Sequence, residues 1–270
     1  MDIIRKLIRD HNLFDDEGRG CKSREECETF RSSGIAGENS NILLENVIAD
    51  YLEKELDYRF EPHSAFLYGR KIQKNLGLDI EKIEELVNTE LPEKIVEYEK
   101  EIKVNLQDDM FDSFLGYFVS GLYHDVLKEN ETITFDLRSF PPKFPHLRYR
   151  IGNKWGFGYR HIRGELRIIG YSGGYLGHEM RGGVIDVVGR VSDRTGYRMR
   201  DGIIRVHGSC GWRTGDEMIG GRIVIDGDSG EWTGINMYGG EIRVRGKIKS
   251  VGRRYGGRIY CWDDRWVEIG

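Results

Sequence analysis

The sequence predicts an α+β multidomain chain: a mostly α-helical N-terminal domain followed by a right-handed, single-stranded parallel β-helix, a solenoid of about six rungs. Three observations predict it. Only 8 of the 36 glycines fall in residues 1–150, and all five prolines lie at or before Pro145. Formal charge divides the same way, about −10 for residues 1–150 and +6 for 151–270. From Gly158 onward, glycines recur at a fixed spacing of 19 residues. These shifts set the expected limits at 1–140 for the helical domain, 141–157 for a linker or first-rung cap, and 158–270 for the β-helix.

Helices are expected where apolar residues repeat at helical spacing. Ile3, Ile4, Leu7 and Ile8 do so, and so do Ile42, Leu43, Val47, Ile48, Leu52 and Leu56. A third helix is expected from Asp79 to about Asn88, and a fourth from Pro92, a residue suited to a first helical turn, to Lys103. Asp108 to Lys128 is the most apolar candidate, carrying Phe111, Phe114, Leu115, Phe118, Leu122 and Val126. Charges between Glu81 and Lys103 read as a solvated helix face. Beyond Asn130 the pattern changes. Thr132-Ile-Thr-Phe-Asp-Leu137 alternates as a strand does, and Pro141, Pro142 and Pro145 then punctuate the chain.

The repeat comes next. One glycine column runs through Gly158, Gly177, Gly196, Gly215 and Gly234, then Gly252 after a one-residue deletion. A second comprises Gly164, Gly183, Gly202, Gly221, Gly240 and Gly257, and a third Gly170, Gly189, Gly208, Gly227 and Gly246. Between the first two stand Met180, Met199, Met218 and Met237. A 19-residue copy holding one alternating strand and sharp corners is too short to include a helix, so each copy reads as one rung stacked about 4.8 Å from the next. Stacking aligns Leu166, Ile185, Ile204, Ile223, Ile242 and Ile259 as one inward ladder, and Ile168, Val187, Val206, Ile225, Val244 and Cys261 as the next. Six rungs span roughly 25 to 30 Å at that spacing. Trp262 to Gly270 is the expected cap of the last rung, with the helical half over the first.

The recurring pattern G-x-x-M-x-G-G-x-I-x-V-x-G, seen from Gly234 to Gly246, resembles the C-terminal β-helix (GXGXG) domain of the large subunit of glutamate synthase. It is also similar to the β-helical subunit of formylmethanofuran dehydrogenase; both likenesses cover residues 156–260 only. The resemblance implies a structural element that contacts catalytic domains or subunits and carries no catalytic residues of its own. The expected function is therefore a non-catalytic scaffold or accessory protein docking onto a redox or amidotransferase-type partner. The alternatives are an enzyme with its site between the helical domain and the β-helix, and an arginine-mediated nucleic-acid binder.

Candidate chemistry is sparse. Glycine-rich turns can cradle phosphate, but no Gly-Lys-Ser/Thr ending follows these. The methionines read as core packing, and His161, His178 and His207 occupy three different repeat positions, so no metal site converges. No nucleophile, base and orienter trio assembles, and no catalytic residue, cofactor or metal is expected. Outward on the sheet, Arg167, Asp186 and Arg205 are expected to form an ion ladder. Arg243, Arg245, Tyr260 and Trp262 form the candidate interface, since cations beside aromatics suit protein contact. A protein partner or homo-oligomer is thus expected, rather than nucleic acid or membrane. The amphipathic first residues lack a secretory core, and no stretch reaches 18 apolar residues, which points to the cytoplasm.

Overall fold

The structure is a computed structural model describing residues 61–93, 115–139 and 156–269. The stretches expected as helices around Ile3–Ile8 and Ile42–Leu56, and most of that from Pro92 to Lys103, lie outside the described residues. All described residues belong to one compact unit, Glu55–Gly270.

A β-solenoid fills the C-terminal region. Its strands are β1 (Thr132–Asp136), β2 (Glu165–Ile169), β3 (Arg181–Val188), β4 (Asp201–Val206), β5 (Arg222–Ile225), β6 (Glu241–Val244), β7 (Arg258–Asp263) and β8 (Arg265–Ile269). They hydrogen-bond in chain order, parallel from β1 through β7, with β8 antiparallel on β7. Six of these strands, β2 to β7, follow the sequence register and are joined by five full turns. Leu166, Ile185, Ile204, Ile223, Ile242 and Ile259 are successive partners, all 0% exposed. The second inward ladder is equally buried until Cys261, which is half-buried at the last turn. β1 adds a strand ahead of the periodic copies, seating Ile133 on Leu166 and Phe135 on Ile168. The glycine period misses β1 because Ile133 stands 33 residues ahead of its partner Leu166, where the later rungs repeat at 19, and Gly158 and Gly164 begin the columns only just before β2. The sheet therefore starts before residue 140, the limit set by composition.

Each glycine column has its own steric reason. A Cβ on Gly177, Gly196, Gly215 or Gly234 would lie 2.4–2.5 Å from the Cδ1 of Ile204, Ile223, Ile242 or Ile259, each on the second strand after it. At Gly202, Gly221, Gly240 and Gly257 it would meet the Cε of Met180, Met199, Met218 and Met237 one turn earlier, and at Gly183 the His161 ring. The fully buried methionines thus fill the space that the next turn's glycines leave open. The third column packs backbone on backbone: a Cβ on Gly208 would stand 2.2 Å from the carbonyl oxygen of Gly189.

Helices cover the first turn. α1 (Pro62–Leu76) begins with proline in its first turn and ends at Gly77 with φ 60°, the left-handed cap that glycine supplies without strain. Those two signals, with Ala65, Phe66, Gly69 and Ile72 on one buried face, mark a helix that long apolar runs do not reveal. α2 (Ile80–Glu85) is capped by Asp79, whose Oδ1 accepts from the Lys82 N–H at 3.0 Å. α3 (Leu115–Tyr123) lies within the expected apolar stretch and is buried all round. α1 and α3 meet at Gly69 and Gly121, where an added Cβ would stand 2.1 Å from the Phe118 or Phe66 carbonyl oxygen.

α2 does not stop for a new start at Pro92. It runs into a π-turn, Leu86–Glu90, in which the Leu91 N–H donates to the Leu86 carbonyl. A widened turn relieves the crowding that a proline ring imposes on the preceding turn. It also sets Asn88 against the free edge of β1. Asn88 Nδ2 donates to the Thr134 carbonyl at 3.0 Å, and its Oδ1 accepts from the Asp136 N–H at 2.8 Å. Glu84 Oε1 accepts the Thr134 N–H. Two side chains thus satisfy the sheet edge that another strand would otherwise pair with.

Candidate interaction surface and groove

The four interface candidates come together. Arg243 on β6 is the register partner of Tyr260 on β7, and its guanidinium lies 5.4 Å from the Tyr260 ring and 5.4 Å from Trp266. Arg245 sits 5.9 Å from the Trp262 ring, and Trp262 packs edge-on against Trp266 at 5.2 Å. Trp266 completes the cluster because β8 folds back on β7 and makes it the partner of Trp262. Its spacing of four residues from Trp262 was the available signal. Trp262 remains 41% exposed, so the cluster faces solvent. Cations over aromatic faces hold their geometry while staying hydrated.

Beside it, Glu241 at the start of β6 is 8% exposed and collects three arginines. Arg243 Nε donates to its Oε1 at 2.6 Å, Arg222 Nε lies at 3.0 Å, and Arg258 Nη2 is 3.9 Å from Oε2. Arg222, Glu241 and Arg258 are successive register partners, so a single column supplies the trio. They line an open groove of about 650 Å³ running past Asp201, Gly202, Gly221, Gly240 and Gly257.

The expected Arg167–Asp186–Arg205 ladder does not form. Register places these residues side by side, yet among the described residues Asp186 pairs with His207, whose Nε2 lies 3.0 Å from its Oδ1. His207 Nδ1 lies 2.9 Å from Asp226 Oδ2, and Asp226 Oδ1 is 3.7 Å from Arg245. A planar ring between two carboxylates satisfies both with little loss of freedom, whereas the long arginines gain more from hydration. The hydrogen bond with Asp226, and then that with Asp186, raise the His207 pKa despite partial desolvation.

Alternating ion pairs occupy the turn face instead. Arg160 Nε donates to Glu179 at 2.8 Å and Arg198 Nε to Glu217 at 2.7 Å. All four hold left-handed φ values of 52–55°, and opposite charge one period apart was the missed signal. Next to them Asp216 is 1% exposed, with Arg194 at 3.4 Å and Arg213 at 3.7 Å. Burial pushes its carboxyl pKa up, and Arg194 is the strongest opposing charge.

The seam between α1, α3 and the first turns is filled by rings. Tyr117 packs on Tyr159 at 5.0 Å, and its hydroxyl meets His178 Nδ1 at 3.0 Å; Ser120 and His161 are 0% and 1% exposed. Burial holds His124, His161 and His178 down to about 4, so they are neutral at pH 7. Cys210 is buried, its thiol pushed up to about 12, which leaves it unreactive. Among the described residues no group of three or more His, Cys, Asp or Glu is placed to hold a metal ion, and no helix is long and apolar enough to cross a membrane. No family model, curated protein or solved structure matches the chain.

Proposed function

We propose that the chain is a non-catalytic scaffold whose β-solenoid docks onto a partner protein through the outer face of β6 to β8. The observation that supports this reading is the solvent-facing cluster of Arg243, Arg245, Tyr260, Trp262 and Trp266, a combination of anchors that protein interfaces favour. Its arginines suit a partner surface bearing carboxylates. The likeness of the repeat to the glutamate synthase and formylmethanofuran dehydrogenase elements supports a redox or amidotransferase-type partner. A catalytic site at the helix–solenoid seam is not favoured by the close packing of Tyr117, Ser120 and His161 there.

Affinity capture of the tagged full chain from native extract, with mass spectrometry, tests the reading. One reproducible companion of that class is expected. Arg243→Ala combined with Trp262→Ala should reduce its recovery at least about tenfold, while folding stability falls by no more than about 1 kcal/mol per exposed contact. Recovery as a lone monomer, or a companion indifferent to both substitutions, overturns it.

A further inference from the structure

We propose that the groove flanked by Arg222 and Arg258 binds a short dicarboxylate, held by backbone N–H groups of its floor and by the two guanidiniums. The solenoid already shows the mode of binding at one rung. On β4, the Asp201 Oδ1 accepts a hydrogen bond from the Gly202 N–H at 2.8 Å, so a carboxylate rests on the groove floor. In the following turns the equivalents of Gly202 are Gly221, Gly240 and Gly257, and the residues standing in place of Asp201 are Gly220, Gly239 and Gly256. The tethered carboxylate is therefore absent from three successive rungs.

It is not replaced by another group. Among the described residues the N–H groups of Gly221, Gly240 and Gly257 have no hydrogen-bond partner. The carbonyls of Gly221 and Gly240 are engaged, accepting from Glu241 and Arg258 at 3.0 Å each, so unused donors remain where the acceptors are spent. A Cβ on Gly220, Gly239 or Gly256 would stand 2.3–2.4 Å from a carbonyl oxygen of the preceding turn.

The walls supply charge of the right sign. Arg222 and Arg258 are 50% and 62% exposed at their side chains, and the one carboxylate between them, Glu241, is also bonded to Arg243. Arg222, Arg243 and Arg258 share that carboxylate, and with Asp201 counted on the floor the cluster keeps one net positive charge for a further anion. The groove, about 650 Å³, is open to solvent along its length, so a ligand held there keeps part of its surface hydrated. Floor donors one rung apart, about 4.8 Å, suit a ligand with two carboxylates joined by a short linker.

Succinate, inorganic phosphate and neutral succinamide, titrated into the full chain and followed through backbone amide resonances, give the test. Succinate should move Gly221, Gly240 and Gly257 saturably at millimolar concentration or below, and succinamide should not. Arg222→Gln with Arg258→Gln, both exposed, should weaken binding at least about tenfold, with other changes in the spectrum confined to the neighbours of Glu241. Glu241→Gln should tighten it. An absent succinate response, equal affinity in the double variant, or a response to phosphate without one to succinate overturns the proposal.

Discussion

The two ends of the solenoid are closed by different devices. At the first, side chains do the work: Glu84 and Asn88 hydrogen-bond the edge of β1, and α1 and α3 cover the core with aromatic rings. At the last, a strand does it: β8 turns back and pairs antiparallel along β7. Side chains end a sheet, because they offer no further edge. A strand moves the edge outward by one position and carries new side chains to the surface. The first device thus gives a buried seam of neutral histidines, and the second an exposed platform of arginine and tryptophan.

The largest test of that contrast is Gly121→Ala. Its Cβ would press on the Phe66 carbonyl and separate α1 from α3, so a loss of about 3 kcal/mol or more is expected in urea unfolding. A change below about 1 kcal/mol would show that the helical cover is dispensable to the fold. Asn88→Ala comes next. It strips partners from the Thr134 carbonyl and the Asp136 N–H, at a cost of about 1–3 kcal/mol, with faster hydrogen exchange confined to β1. Exchange that stays slow there would mean that the edge is protected by something other than Asn88.

Acid provides the finest comparison, with opposite signs in the seam under the helices and on the outer face of the middle turns. His124, His161 and His178 titrate near 4 in the fold, below their ordinary 6.5, so their contribution is complete above pH 6.5 and is lost as pH falls toward 4. His207 is raised, so its contribution is complete below 6.5 and is lost as pH rises through the folded value. Ring-proton titration by NMR, with urea midpoints measured across this window, should separate the two groups. Histidines that all titrate at the ordinary value would remove the contrast.

The periodic half of the fold was legible because its physics repeats. Gly215 clears Ile242 just as Gly196 clears Ile223, and identical demands leave identical residues at identical spacing. The interface candidates were legible for a related reason, since register fixes which residue stands beside Arg243. What escaped was written once or written diagonally. β1 stands 33 residues ahead of β2 rather than 19, the Gly69–Gly121 crossing joins residues far apart in the chain, and His207 reaches Asp186 across register. The groove required seeing which donors stay unused, and hydrogen bonding is invisible in a string of glycines.

The backbone-on-backbone column from Gly170 to Gly246 makes the solenoid a ruler with removable graduations. Because each turn meets the next at the same glycine position, as Gly208 meets Gly189 and Gly227 meets Gly208, one 19-residue graduation can be copied or excised there with the glycine contacts kept. Lengthening would carry the tryptophan platform about 4.8 Å farther from the helical cover per added copy. Spacing between the two ends is therefore a quantity that whole-repeat duplication can tune.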